Sequence, residues 1–110
     1  MGTWHLWIQN VTQGWTFSTT QTPTAMVPSR MSAEWIVECP LNGRPGPPFR
    51  LADFGTVTFT HASVNVGASN LKLRPGARVH ALEMIRGIRS ISVPGELGAN
   101  GGFSVKWGGY

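Results

Sequence analysis

Acidic side chains are scarce in this chain of 110 residues: five Asp and Glu stand against nine Lys and Arg, and all charged residues together make up 13%. Apolar residues reach 41%, too many for a disordered chain. No apolar run approaches the roughly 20 residues that a spanning helix needs, so no membrane segment is expected. The single cysteine, Cys39, excludes an internal disulfide and any multi-cysteine metal site. His5, His61 and His80 show no ligand spacing, so neither a metal nor another cofactor is expected. "MGTWHLWIQN" has no basic start and no apolar core of the length a secretory leader needs, so the expectation is that either the chain is not secreted or this is not its native N-terminus. Heptads, helical stripes and internal repeats are absent.

What the chain has is turn chemistry. Fourteen glycines and eight prolines, with many Thr and Ser, favour a β protein built on short strands. The thin charge leans towards an extracellular setting. The net charge of +4 could steer a protein towards phosphates. Its carriers (Arg30, Arg44, Arg50, Lys72, Arg74, Arg78, Arg86, Arg89, Lys106) are scattered, however, and no nucleic acid is expected as a partner.

Alternation along the chain places the strands. In "TWHLWIQN", Trp4, Leu6 and Ile8 point one way and His5, Trp7 and Gln9 the other. "NVTQG" (Asn10 to Gly14) is a turn, and "WTFSTT" resumes the alternation, which makes Thr3 to Thr20 a β-hairpin. Asn10-Val11-Thr12 is a glycosylation sequon, read here as part of the turn. A linker with Pro23 and Pro28 leads to "SAEWIVEC", a strand ending at Pro40, followed by an exposed Pro/Gly loop. "FGTVTFTHASV" reads as one long strand, and Asn70 to Arg74 as a short one. "RVHALEMI", "IRSISV" and "GFSVKW" complete a meander, with turns at Arg86-Gly87 and through "PGELGANGG". Roughly seven strands at a spacing of about 10 residues predict an all-β fold, an antiparallel β-sandwich.

Two of the five carboxylates fall in one strand. Residues two apart share a face of a strand, so Ala33, Trp35 and Val37 face the core while Glu34, Ile36 and Glu38 look outward. Glu34 and Glu38 are then about 13 Å apart, beyond the reach of the paired carboxylates of glycosidases. On pattern alone they are ordinary exposed strand residues, although Glu is depleted in strands. Other candidates are weaker. "DFG" (Asp53 to Gly55) matches the kinase magnesium motif in letters only, since the all-β pattern forbids that fold. Cys39 as a nucleophile needs a histidine base beside it, which the sequence does not place. Trp7 and Trp107 are the Trp residues that look open for stacking on a ligand, whereas Trp4 and Trp35 lie on core faces.

"AEWIVE", then a Pro/Gly loop, then "LADFGTVTFTHASV" resembles the glutamic peptidase (eqolisin) family of acid-acting endopeptidases. "WIQNVTQGW" is similar to that family's hairpin before the catalytic strand, and "GGFSVKW" to its last strand. The resemblance implies a lectin-like sandwich of two antiparallel sheets, an extracellular setting and a polypeptide substrate. It also implies a catalytic Gln/Glu pair, whose Glu falls on Glu38; Glu34 matches an accompanying position. In that chemistry an ionised Glu takes a proton from water as it attacks the scissile carbonyl, and the Gln amide donates to the oxyanion. Carboxylates in water titrate near 4.3, which suits a base working in mild acid.

None of Gln9, Gln13 and Gln21 matches the catalytic Gln motif. The expectation is therefore that residues 1–110 form a single partial domain, like the C-terminal half of a glutamic peptidase, which leaves open whether Met1 is the true start. Alone it would be inactive, marginal or sticky, and completed by a missing N-terminal half or by self-association. The alternative is a non-catalytic lectin-like β-sandwich that holds peptide or glycan.

Overall fold

The computed structural model describes residues 2–25, 29–41, 43–47 and 49–109. Among them are eight β-strands and no helix: β1 (Trp4–Asn10), β2 (Trp15–Gln21), β3 (Thr56–Phe59), β4 (Ser63–Val66), β5 (Ser69–Lys72), β6 (Met84–Arg86), β7 (Arg89–Pro94) and β8 (Phe103–Trp107). Every pairing is antiparallel. The all-β antiparallel class expected from the alternation is what forms, in sheets ordered β1-β2, β3-β8-β7-β6 and β4-β5. No helix among the described residues is long and apolar enough to cross a membrane. The chain folds as two units, Met1–Ala33 and Glu34–Tyr110.

The first unit is the expected hairpin, in register from Trp4↔Gln21 to Asn10↔Trp15. Its turn is built by side chains. Asn10 Oδ1 accepts the Gln13 amide at 2.9 Å, and Gln13 Oε1 accepts both Asn10 Nδ2 at 3.3 Å and Trp15 Nε1 at 3.0 Å. Gly14, at φ 72°, closes the turn onto the Asn10 carbonyl, a left-handed conformation that glycine adopts at no steric cost. Register puts Leu6, Ile8, Trp15 and Phe17 on one face. All four are exposed, whereas Trp4 on the same face is half-buried, with the Arg30 guanidinium 5.1 Å from its ring centroid.

In the second unit, the four-stranded sheet carries Val57, Phe59, Phe103 and Val105 on one face through the pairs Val57↔Val105 and Phe59↔Phe103. The two Phe rings stack at 4.8 Å, a separation typical of favourable aromatic pairs. On the opposite face, Thr58 and Ser104 share a hydroxyl hydrogen bond of 3.0 Å. Strand β7 lies inside the sheet, and both Ile91 and Ser92 are buried. Gly67 (φ 59°) and Gly87 (φ 62°) open the two-residue turns of β4–β5 and β6–β7, the positive φ that such hairpins require.

Three strand expectations are corrected. "FGTVTFTHASV" is not continuous: β3 ends at Phe59 and β4 starts at Ser63. His61 between them has φ 57°, which turns the chain out of the ladder, and Ala62 then donates to Gly101 O and accepts from Leu73 N. Of "RVHALEMI" only Met84 and Ile85 join a ladder, as the start of β6, and the pairing with β7 shifts at a bulge between them. "SAEWIVEC" forms no ladder at all. The edge strand that its Cys39 contacts, β6, offers just three residues, too short a template to pair with all of it.

Candidate functional site

Although residues 32–39 form no ladder, their burial keeps the period of an extended chain. Trp35, Val37 and Cys39 are half-buried, while Glu34, Ile36 and Glu38 are exposed. The two expected faces are therefore present from Glu34 onward, and only Ala33 departs, being exposed. Alternation follows from the apolar side chains at every second position, which seek cover while the carboxylates keep their hydration.

Two contacts tie the segment's end to strand β6. The Cys39 thiol donates to Met84 Sδ at 3.5 Å. Beyond it, Phe49 N donates to Pro40 O at 3.2 Å and Arg86 Nη2 donates to Phe49 O at 3.1 Å. The Pro/Gly loop is thereby pinched at its neck against β6, and Glu38 sits one residue before the Cys39 contact. Among the described residues no hydrogen bond or ion pair engages the Glu38 carboxylate. An outward carboxylate with both oxygens open can accept a proton from water.

The glutamines are placed differently. Gln13 is committed to the hairpin turn, Gln21 Nε2 donates to Thr19 Oγ1 at 3.0 Å, and Gln9 is exposed opposite Thr16. The "DFG" letters are turn chemistry: Asp53 Oδ1 accepts Gly55 N at 2.9 Å, with Gly55 at φ 62°. Cys39 has Met84, not a histidine, as its sulfur partner. Trp7 is 59% exposed, as expected of a Trp open to solvent. Trp107 is not: it is half-buried, and its indole Nε1 is buried without a protein partner. No group of three or more His, Cys, Asp or Glu among the described residues could hold a metal ion.

One feature escaped the sequence reading. An open groove of about 410 Å³ lies between the Pro75-Gly76 turn and Pro94-Gly95, with Arg74 and Glu96 contributing opposite charges to its lining. Each Pro-Gly was legible as a turn, but nothing in the local pattern brings the two together.

The peptidase A4 family, that of the glutamic peptidases, has a model that matches residues 2–94. The chain belongs to this family. The match takes in the hairpin, the "AEWIVE" block and the "LADFGTVTFTHASV" block, and it ends before β8. No curated protein and no solved structure matches the chain. Membership of a peptidase family makes polypeptide the class of substrate.

Proposed function

We propose that this peptidase A4 chain serves acid endopeptidase chemistry outside the cell, with Glu38 as the general base that activates the attacking water. The observation that carries this reading is the outward carboxylate of Glu38 on the family's "AEWIVE" block, without a partner among the described residues. Its neighbours Val37 and Cys39 are turned inward, which holds the backbone while leaving the oxygens open. The oxyanion donor belongs to residues outside this sequence, since none of its glutamines stands in the family's motif. Without that donor the 110 residues are inactive by themselves.

The test is peptide cleavage by the complete gene product in acid solution. Glu38→Gln is expected to lower kcat by roughly 100- to 10,000-fold, and Glu34→Gln to leave it within a few-fold. Equal activity of wild type and Glu38→Gln would remove the role. Should the wild-type product cleave nothing yet hold peptide or glycan, the non-catalytic alternative stands.

A further inference from the structure

Residues 34–39 run without a strand ladder, so backbone hydrogen bonding does not fix which way Glu38 points. Side chains must do so. Through the register, Met84 stands opposite Ser92, and Ser92 opposite Trp107, a row across β6, β7 and β8 on one face of the sheet. Ser92 in the middle of that row is buried. Met84 is the row's last member on the edge strand, and its thioether receives the Cys39 thiol at 3.5 Å. The residue after Glu38 is thus attached to the face of a packed sheet.

We propose that the packing of Cys39 against the Met84 side chain is a clasp, standing in for the missing ladder, that fixes the direction of the Glu38 side chain. Cys39 and Met84 are then positioning residues for the peptidase reaction. A thiol and a thioether suit this place. Both are apolar enough to lie against a sheet, and the polarisable Met side chain adapts to an irregular gap at a bulged edge. With the clasp closed, the inward side chains Val37 and Cys39 stay inward, and the intervening carboxylate can only face out. With it open, residues 34–39 gain the freedom of a loop and the base loses its aim. This consequence for catalysis rests on Glu38 being the base; the clasp itself does not.

The experiment uses the complete gene product and two readouts. The first is the rate at which iodoacetamide alkylates Cys39 in the native protein, followed by mass spectrometry. Met84→Ala is expected to raise that rate about tenfold or more, because local opening exposes the thiol. Met84→Leu, which keeps the volume without the sulfur, is expected to stay close to wild type. The second readout is peptide cleavage. Met84→Ala should lower kcat by roughly 10- to 100-fold, the cost of a base misplaced by about an ångström, with KM little changed, and Met84→Leu should restore kcat. Met84→Val, a smaller truncation, gives the same pattern at lower amplitude where the Ala variant does not fold. An alkylation rate unmoved by Met84→Ala and Met84→Val overturns the clasp. Faster alkylation with kcat unchanged overturns the positioning role. If Glu38→Gln is itself fully active, the assignment of the base is what fails, and the alkylation rates still decide the clasp.

Discussion

At the scale of single residues, glycine geometry separates replaceable positions from fixed ones. Gly101 has φ 70°, and a Cβ added to it would lie 2.5 Å from the Ala62 carbonyl oxygen and 3.0 Å from its nitrogen. Both atoms are backbone, and Ala62 N already donates to Gly101 O at 3.1 Å, so neither can yield without breaking the joint between β3 and β4. Left-handed backbone alone costs an L-residue about 1–2 kcal/mol. Gly101→Ala is therefore expected to destabilise the second unit by about 2–4 kcal/mol, the range of strain and overpacking combined, read as a fall in the urea midpoint. Gly67→Ala, with positive φ but open space around it, should lose only the conformational part, about 1 kcal/mol. Equal losses at the two positions would contradict the contact with Ala62.

Among elements, the hairpin and the Glu38 segment show where sequence is sufficient and where it is not. The hairpin was legible because everything that makes it is local: alternation over Trp4–Asn10 and Trp15–Gln21, and an Asn-to-Gly turn whose side chains bond one another. Replacing Asn10 with Ala removes the acceptor for Gln13 N. It is expected to cost about 1 kcal/mol and to show as faster amide exchange across β1 and β2, with β7 and β8 unaffected. The Glu38 segment was legible in its faces but not in its pairing. Alternation is a property of residues 34–39 alone, whereas a ladder requires a partner, and β6 supplies only three residues. The same limit explains the broken "FGTVTFTHASV". Nothing in the letters Thr60-His61-Ala62 forces a left-handed residue; the pull comes from Gly101 and Leu73, far along the chain. Glu38 itself came from the family resemblance, since charge and spacing alone make it one more exposed strand residue.

For the whole molecule, the decisive fact is how little is covered. Among the described residues the buried apolar side chains are Leu51, Ala62, Ile91 and Val105. Leu6, Ile8, Trp15 and Phe17 meanwhile share one open face of a hairpin, and two-stranded hairpins are marginal in water without cover. Contiguous exposed apolar surface of this kind drives association. The 110-residue chain alone is expected to bind the dye ANS and to give an apparent mass that rises with concentration in light scattering. Leu6→Ser with Phe17→Ser should lower both signals. A monodisperse chain with no dye binding would show that these side chains find cover within the chain.

The pinched neck of the Pro/Gly loop has a further meaning for variation. Because Phe49 N, Pro40 O and the Arg86 guanidinium close it against β6, the strain of any lengthening stays beyond the neck. Doubling a loop costs only about 0.6 kcal/mol in closure entropy. New sequence can therefore be grafted a few residues downstream of the carboxylate proposed as the base without moving it, so that the loop is free to vary while Glu38 keeps its place.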